Sequence, residues 1–284
     1  MSKIGLVLEG GGMRGAYTTG ALVWLLDNNI TFNYGVGISS GAVSLCNFYL
    51  KDKELLYDIS VKHTADKRNV GIIPILKERR YVGYDFMFDE LLLKQIKMNT
   101  QQLTKDKVNM EIGIYDLDKG ETLFFGPEYL DSELRMLKAS CALPIASRVV
   151  EYNGHRYLDG GISVMIPYQR SIDKGNDKHF VIVTKPDGYI RKKAGSFMQK
   201  FMKFNYPKYP KMCEQYNNRH IAYNEQMSKV LQGVKDNNTF LVRPSKNISV
   251  KRFKGDPKSL NELFELGYSD MEAQKENILN FINN

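Results

Sequence analysis

Short apolar runs alternate with stretches of helical spacing along the first two thirds of the chain. Ile4–Leu8 is a short apolar run closed by Gly10, Gly11 and Gly12, and it reads as a buried strand. Residues 16–26 follow with helical spacing and end at Asp27-Asn28-Asn29. A second strand is predicted at 32–37, with a helix at 41–50 directly after it. The stretch 51–99 is mostly helical in pattern, with looser periodicity. Val108, Met110, Ile112 and Ile114 alternate as a half-buried strand does, and the turn residues 116–120 lead to a partner at 122–125. A helix near 132–139 precedes a strand at 149–152, and Asn153-Gly154 predicts a type I′ hairpin into a strand at 155–158. Another buried strand is expected at 180–184. Further on, helices are expected at about 196–204 and 214–231, separated by a loop with Pro207 and Pro210. A strand at 239–242 and two short helices close the pattern.

Strands alternating with helices predict an α/β protein. The 284 residues suffice for one large domain or two small ones. At 43% hydrophobic and 25% charged, the composition excludes a disordered or collagen-like chain. No run of about 20 apolar residues predicts a membrane-spanning helix. The N-terminal apolar run is too short for a signal-peptide core, so no leader is expected. Three cysteines, Cys46, Cys141 and Cys213, lack metal-ligand spacing, so neither disulfides nor a metal site is expected, and the expected compartment is a reducing cytoplasm.

Charge changes the picture in one place. The net charge is +8, and residues 185–213 hold eight Lys and Arg against Asp187 alone. A patch of that sign attracts anionic partners. Phe197, Met198, Phe201, Met202 and Phe204 interleave with Lys200 and Lys203, as in an interfacial helix at the inner membrane surface. The same spacing also describes a helix packed on the core with a solvated basic side.

Three stretches carry chemistry. Gly37-Ile38-Ser39-Ser40-Gly41 fits G-x-S-x-G between a predicted strand and a predicted helix, the setting in which a serine is lifted off a sheet as a nucleophile. Chance supplies this pentapeptide about 0.1 times in such a chain, and its plain alternative is a Gly-Ser turn. Gly10-Gly11-Gly12-Met13-Arg14-Gly15 also sits between strand and helix. A dinucleotide fingerprint needs an acidic residue at the end of the next strand, and a Walker loop needs Gly-Lys-Ser/Thr; neither is present. What remains is a bare-backbone loop whose N–H groups hold an anion, as in an oxyanion hole, or a tight glycine turn. Asp159-Gly160-Gly161 is either an exposed turn or a base for Ser39 with open approach on both sides. Of the four histidines, only His179 and His220 follow Asp159 in the order of an α/β-hydrolase triad. Neither is placed at the carboxyl end of a strand, and both read as surface histidines.

These motifs, together with Ala139-Ser140-Cys141-Ala142-Leu143-Pro144, resemble the patatin-like phospholipases in order and spacing over about residues 3–187. The resemblance implies a three-layer α/β/α sandwich with a mostly parallel central sheet. It further implies a Ser39–Asp159 dyad without histidine, and an oxyanion hole from Gly10, Gly11, Gly12, Met13 and Arg14, with Arg14 fixing the loop. Met165 departs from the pattern, since many members carry Asn six residues after the dyad Asp. On this reading, residues 1–190 form the catalytic domain and 191–284 a basic, helical extension packed on it. The expected activity is serine acyl-ester hydrolysis of a lipid or small ester, with no cofactor, no metal and no nucleic-acid partner. The competing readings are a nucleotide-binding regulator using the glycine loop and an anionic-lipid or nucleic-acid binding module built on the basic segment of an inactive hydrolase scaffold.

Overall fold

The computed structural model describes residues 2–283. The apolar runs become an eight-stranded sheet. Its strands are β1 (Ile4–Leu8), β2 (Tyr34–Ile38), β3 (Met110–Asp116), β4 (Glu121–Phe125), β5 (Val150–Tyr152), β6 (His155–Asp159), β7 (Lys178–Ile182) and β8 (Thr239–Val242). β3, β2, β1, β7 and β8 run parallel in that order. β6 is antiparallel to β3 and to β5, and β4 is antiparallel to β3. The Asn153-Gly154 turn takes positive φ at both residues, 49° and 79°, as a type I′ hairpin requires.

Both faces of the sheet are covered, which is why its parallel strands read as apolar runs. On one face α1 (Gly15–Asp27), α2 (Ser40–Tyr49) and α3 (Lys53–Tyr57) pack with Leu6 and Leu8. The chain then forms a wide π-helical turn (Asp58–His63), α4 (Ile72–Glu78), a longer π-helical stretch (Asp85–Gln95), α5 (Gln101–Lys105) and α6 (Arg135–Ser140). On the other face Val7, Val36 and Val181 meet Tyr168 of α7 (Tyr168–Asp173). After α8 (Ser196–Asn205) and α9 (Pro210–Asn217), Tyr223 and Val230 of α10 (Arg219–Lys235) complete that second layer. The chain closes with α11 (Pro257–Glu272) and α12 (Lys275–Asn283). Among the described residues no helix is long and apolar enough to cross a membrane.

The structure departs from the sequence pattern in four places. β3 is buried along its whole length rather than on one face. Its outlier, Glu111, is admitted because Arg170 Nε and Nη2 (2.7 and 2.8 Å), Lys174 Nζ (2.8 Å) and the Tyr34 hydroxyl (2.6 Å) all meet its carboxylate. Burial alone would raise its pKa, but these donors outweigh it and hold it at about 2. Arg170 belongs to α7, a six-residue helix too short and polar to show in the periodicity. The helix expected at 214–231 is two helices broken at Asn218. Finally, α11 is a 16-residue helix rather than a short one.

α11 lies across α1 with almost no space between the two backbones. A β-carbon on Gly20 would stand 2.0 Å from the Phe264 carbonyl oxygen, and one on Gly267 would stand 2.1 Å from that of Tyr17. Polar groups border the contact: the Tyr17 hydroxyl donates to Asp270 Oδ2 at 3.0 Å, and Trp24 Nε1 to Glu272 Oε2 at 2.6 Å. Because backbone rather than a flexible side-chain end blocks the space, Gly267→Ala must push the helices apart. We expect it to cost about 1–3 kcal/mol, read as a lower urea midpoint with an unchanged m-value, whereas Ala at the open Gly195 should be close to neutral.

Candidate active site

The site arises where two strands meet end to end. β2 pairs with β3 through residues 110–113, and β6 pairs with it through 114–116. β4 pairs with β3 across 112–116, so it occupies the opposite edge and leaves β2 and β6 to share one. The two strands approach each other head on. Ile38 sits opposite Gly113 and Asp159 opposite Ile114, which brings the residues after them together. Gly160 is needed at the junction, since a β-carbon there would stand 2.6 Å from the Gly113 carbonyl oxygen.

Ser39 occupies the turn from β2 into α2 with φ 55° and ψ −125°, a conformation that disfavours a residue with a side chain. Two close approaches hold it there. A β-carbon on Gly37 would meet the Gly41 carbonyl at 2.6 Å, and one on Gly41 would meet those of Leu8 and Glu9 at 2.8 Å. The Ser39 N–H donates to Ser140 Oγ at 3.1 Å, and Ser140 Oγ donates to the Gly113 carbonyl at 3.0 Å. Ser140 thereby ties the strained turn to the middle strand. Two residues on, the Ala142 carbonyl accepts from the Asp159 N–H at 2.8 Å. The stretch 139–144 thus braces both candidate residues.

Asp159 is 2% exposed, and Oδ1 accepts the Gly161 N–H at 2.7 Å. Burial pushes its pKa up, while the adjacent Ser39 hydroxyl, the Gly161 N–H, Arg252 and Arg219 pull it down. Met165 contributes through its backbone. Its carbonyl accepts from the Gly10 N–H at 3.3 Å, and its N–H donates to Gln226 Oε1 of α10 at 2.9 Å, while its side chain is buried among the second-layer apolar residues. Gln226 also holds Ile166 N–H and the Ser163 carbonyl, fixing the loop after Asp159.

The glycine loop lies directly over the serine turn, and a β-carbon on Gly10 would stand 3.1 Å from Ser39 Cβ. Its N–H groups are unequal. That of Gly10 is held by Met165, that of Gly11 donates to Ser40 Oγ at 2.9 Å, and that of Met13 donates to the Arg252 carbonyl at 3.1 Å. The Gly12 N–H has no partner among the described residues. Gly12 has φ +59°, and a β-carbon there would strike the Arg252 carbonyl at 2.6 Å. Arg14 lines neither of the two cavities that reach Ser39. It borders a third, with Thr184 and Lys185, where Glu9 is its opposite charge.

One cavity at Ser39 is apolar, about 150 Å³, and walled by Met13, Val43, Leu56, Tyr84, Phe88 and Leu92 among others. The other, smaller one joins Ser39, Asp159 and the glycine loop to Arg191, Arg219 and Arg252. Sequence reasoning missed these three arginines. Only the basic run around Arg191 was a signal.

His179 is not a surface residue as expected: it is 3% exposed, its Nδ1 hydrogen-bonds Ser171 Oγ at 2.8 Å, and burial lowers its pKa to about 4. It pairs with Gly5 near the start of β1, at the opposite end of the sheet from Ser39. The fold also gathers Asp116, Asp118 and His155, ligand types that the sequence left far apart. His155 Nδ1 lies 3.1 Å from Asp116 Oδ2 without a hydrogen bond between them, and Arg156 Nη2 donates to Asp118 Oδ1 at 2.6 Å.

Ser140→Ala should leave the fold intact but release the serine turn. We expect fluorophosphonate labelling of Ser39 to slow by about tenfold or more, with a stability loss of about 1–3 kcal/mol for the stranded N–H and carbonyl.

A family model for patatin-like phospholipase matches residues 6–170, and a second, described as a domain of unknown function (DUF6363), matches 209–283. The chain is 25% identical over 198 residues to the uncharacterized protein YjjU of Escherichia coli K12, covering 65% of this chain and 52% of that protein. It is 27% identical over 194 residues to the probable lipid hydrolase 463L of Invertebrate iridescent virus 6, covering 61% and 65% respectively. It therefore spans less than two thirds of the length of either relative. Among solved structures, VipD from Legionella pneumophila aligns over 97% of this chain and 67% of its own, with TM-score 0.47 and 12% identity. With more than half of its length matched by one family model, and that match spanning the serine turn, the glycine loop and Asp159, the chain belongs to the patatin-like phospholipase family.

Proposed function

We propose that this protein hydrolyses acyl esters of lipids, with Ser39 as nucleophile and Asp159 as general base. The observation that carries the reading is the head-on meeting of β2 and β6, which sets a strained serine beside a buried carboxylate. Asp159 accepts the hydroxyl proton as Ser39 Oγ attacks the ester carbonyl. The developing oxyanion falls to the free Gly12 N–H and to the Ser40 and Gly41 N–H groups at the start of α2, since those of Ala42 and Val43 already donate to the Ser39 carbonyl. Asp159 returns the proton to the departing alcohol, then draws one from the water that cleaves the acyl-enzyme. Burial suits the carboxylate to this role, because a pKa nearer neutrality makes it a better base than an exposed Asp. The acyl chain belongs in the apolar cavity, whose volume matches roughly a benzene-sized group.

Ser39→Ala and Asp159→Asn should each reduce p-nitrophenyl butyrate hydrolysis by about a thousandfold or more. Labelling by a fluorophosphonate should vanish in the first. Since the working form of Asp159 is the carboxylate and its pKa is raised, wild-type kcat/KM should fall with acid along a limb centred above pH 3.8. Undiminished turnover by Ser39→Ala would remove the assignment.

Two features favour action at a lipid surface. α8 turns Phe197 and Phe204, 77% and 82% exposed, to solvent, and only Met202 of its residues is buried. Met202 packs into the core, while Phe197 and Phe204 form an exposed apolar stripe among lysines, as an interfacial helix presents. α4 exposes Ile72 and Leu76 in the same way. Phe197→Ser with Phe204→Ser should cut binding to vesicles containing anionic phospholipid by about tenfold, measured by co-sedimentation. Turnover of a water-soluble ester serves as the folding control.

A further inference from the structure

Three side chains of metal-ligand type meet where two hairpins of the sheet come together. Asp116 is the last residue of β3, Asp118 lies in the turn to β4, and His155 opens β6. One ligand atom of each lies within 4.8 Å of the other two. None of the three lines either cavity at Ser39, so the group is separate from the chemistry proposed above.

Asp116 is fully buried and only half satisfied. Its Oδ1 accepts the N–H groups of Asp118 and Lys119, both at 2.9 Å, which fixes the carboxylate. Its Oδ2 is buried and has no hydrogen-bond partner among the described residues, and the same is true of His155 Nδ1. The two atoms stand 3.1 Å apart, within hydrogen-bond reach, yet no hydrogen bond joins them because the ring nitrogen does not point at the oxygen. Leaving a buried carboxylate oxygen without a donor is unfavourable, and a cation placed between the two atoms relieves it.

Two atoms that ligate one tetrahedral ion stand in this relation. With metal–nitrogen and metal–oxygen bonds of about 2.0–2.2 Å, neighbouring ligand atoms are about 3.3 Å apart, and their lone pairs converge on the ion rather than on each other. The surroundings hold the ligands as the outer contacts of a metal site do. Asp116 is fixed by two backbone N–H groups, and Asp118 by Arg156, whose Nη2 donates to Oδ1 at 2.6 Å and whose N–H donates to Oδ2 at 3.0 Å. Each carboxylate oxygen keeps a further lone pair for an ion. Two carboxylates against the one guanidinium leave negative charge for a cation to meet. The side chains of His155 and Asp118 are 42% and 30% exposed, so an ion can enter from solvent and keep a water as its fourth ligand. One imidazole with two carboxylates suits zinc and its neighbours, whereas calcium and magnesium take about six or more oxygens.

We infer that Asp116, Asp118 and His155 bind a transition-metal ion of the zinc class, which clasps the β3–β4 turn to the start of β6. The inference does not depend on the hydrolase reading. The role it gives the ion is structural: β6 begins at His155 and ends at Asp159, so the ion anchors on β3 the strand that carries the buried carboxylate. Cysteine spacing holds no trace of such a site, because its ligands are carboxylates and an imidazole from two separate hairpins.

The test uses the full chain, treated with EDTA and exchanged into metal-free buffer, with zinc chloride as the probe. Zinc at about a hundred times its dissociation constant should raise the wild-type Tm by about 5 °C. One equivalent of cobalt should give the visible absorption band of a tetrahedral site. His155→Gln and Asp118→Asn, both at partly exposed positions, should each lose most of the shift and the band. Should His155→Gln not fold, Asp118→Asn carries the comparison. Absence of both shift and band in wild type overturns the proposal, and so does a shift retained in the variants, which puts the ion elsewhere. Shifts of equal size from calcium and magnesium also overturn it, since they remove the imidazole from the site. In EDTA the variants should melt within about 2 °C of wild type. A loss in His155→Gln as large in EDTA as in zinc would mean that the imidazole serves only as an ion-pair partner of Asp116, and the metal site falls.

Discussion

One edge of β3 serves two strands, and the rest of the site follows from that arrangement. β2 runs parallel to β3 and ends at Ile38; β6 runs antiparallel and ends at Asp159; each pairs with a different half of the same edge. Their carboxyl ends are forced together with no room for side chains at the seam. Glycine is required at 160, where a β-carbon would meet the Gly113 carbonyl at 2.6 Å, while the serine turn itself and β1 demand glycine at 37 and 41. Between those two close approaches Ser39 takes positive φ. The chain must leave the sheet within one residue, and the strain is sustained because the Ser140 bridge and the close packing of α2 allow no relaxed alternative.

The same crowding sets the electrostatics. A carboxylate at the end of a strand that is covered on both sides cannot keep its water, so burial raises the pKa of Asp159. The covering comes partly from chain far away in sequence. The 248–254 turn lays the Arg252 carbonyl on the glycine loop, and α10 delivers Gln226 and Arg219. Glu111, also buried in β3, goes the opposite way because four donor atoms from Arg170, Lys174 and Tyr34 surround it. At Asp159 burial prevails over the donors that reach it, whereas at Glu111 the donors from other elements together outweigh burial.

The C-terminal third is joined to the rest through several elements. β8 extends the parallel sheet beside β7, and α11 crosses α1 at backbone contact through Gly20 and Gly267. The arginine-lined cavity at Ser39 is built from this third and the loop leading into it.

Local pattern by itself determined the strands, most helix positions, the type I′ turn at Asn153-Gly154 and the candidate chemistry of Ser39, the glycine loop and Asp159. Each of these is a property of a few consecutive residues: apolar runs for strands buried on both faces, and glycines where backbones nearly touch. The family resemblance, carried by those same short motifs, joined Ser39 to Asp159. Tertiary structure alone decided the rest. α7 escaped notice because six residues, tied to Glu111 through Arg170, have no periodicity of their own, and the break at Asn218 falls inside a stretch of continuous helical spacing. His179 looked like a surface residue until β1, β7 and α7 enclosed it. Nothing in the local sequence relates Arg191, Arg219 and Arg252, which stand 28 and 33 residues apart. Their convergence on one cavity is a product of packing, since charges that are solvated and independent along a chain become a site only when folding removes their water together.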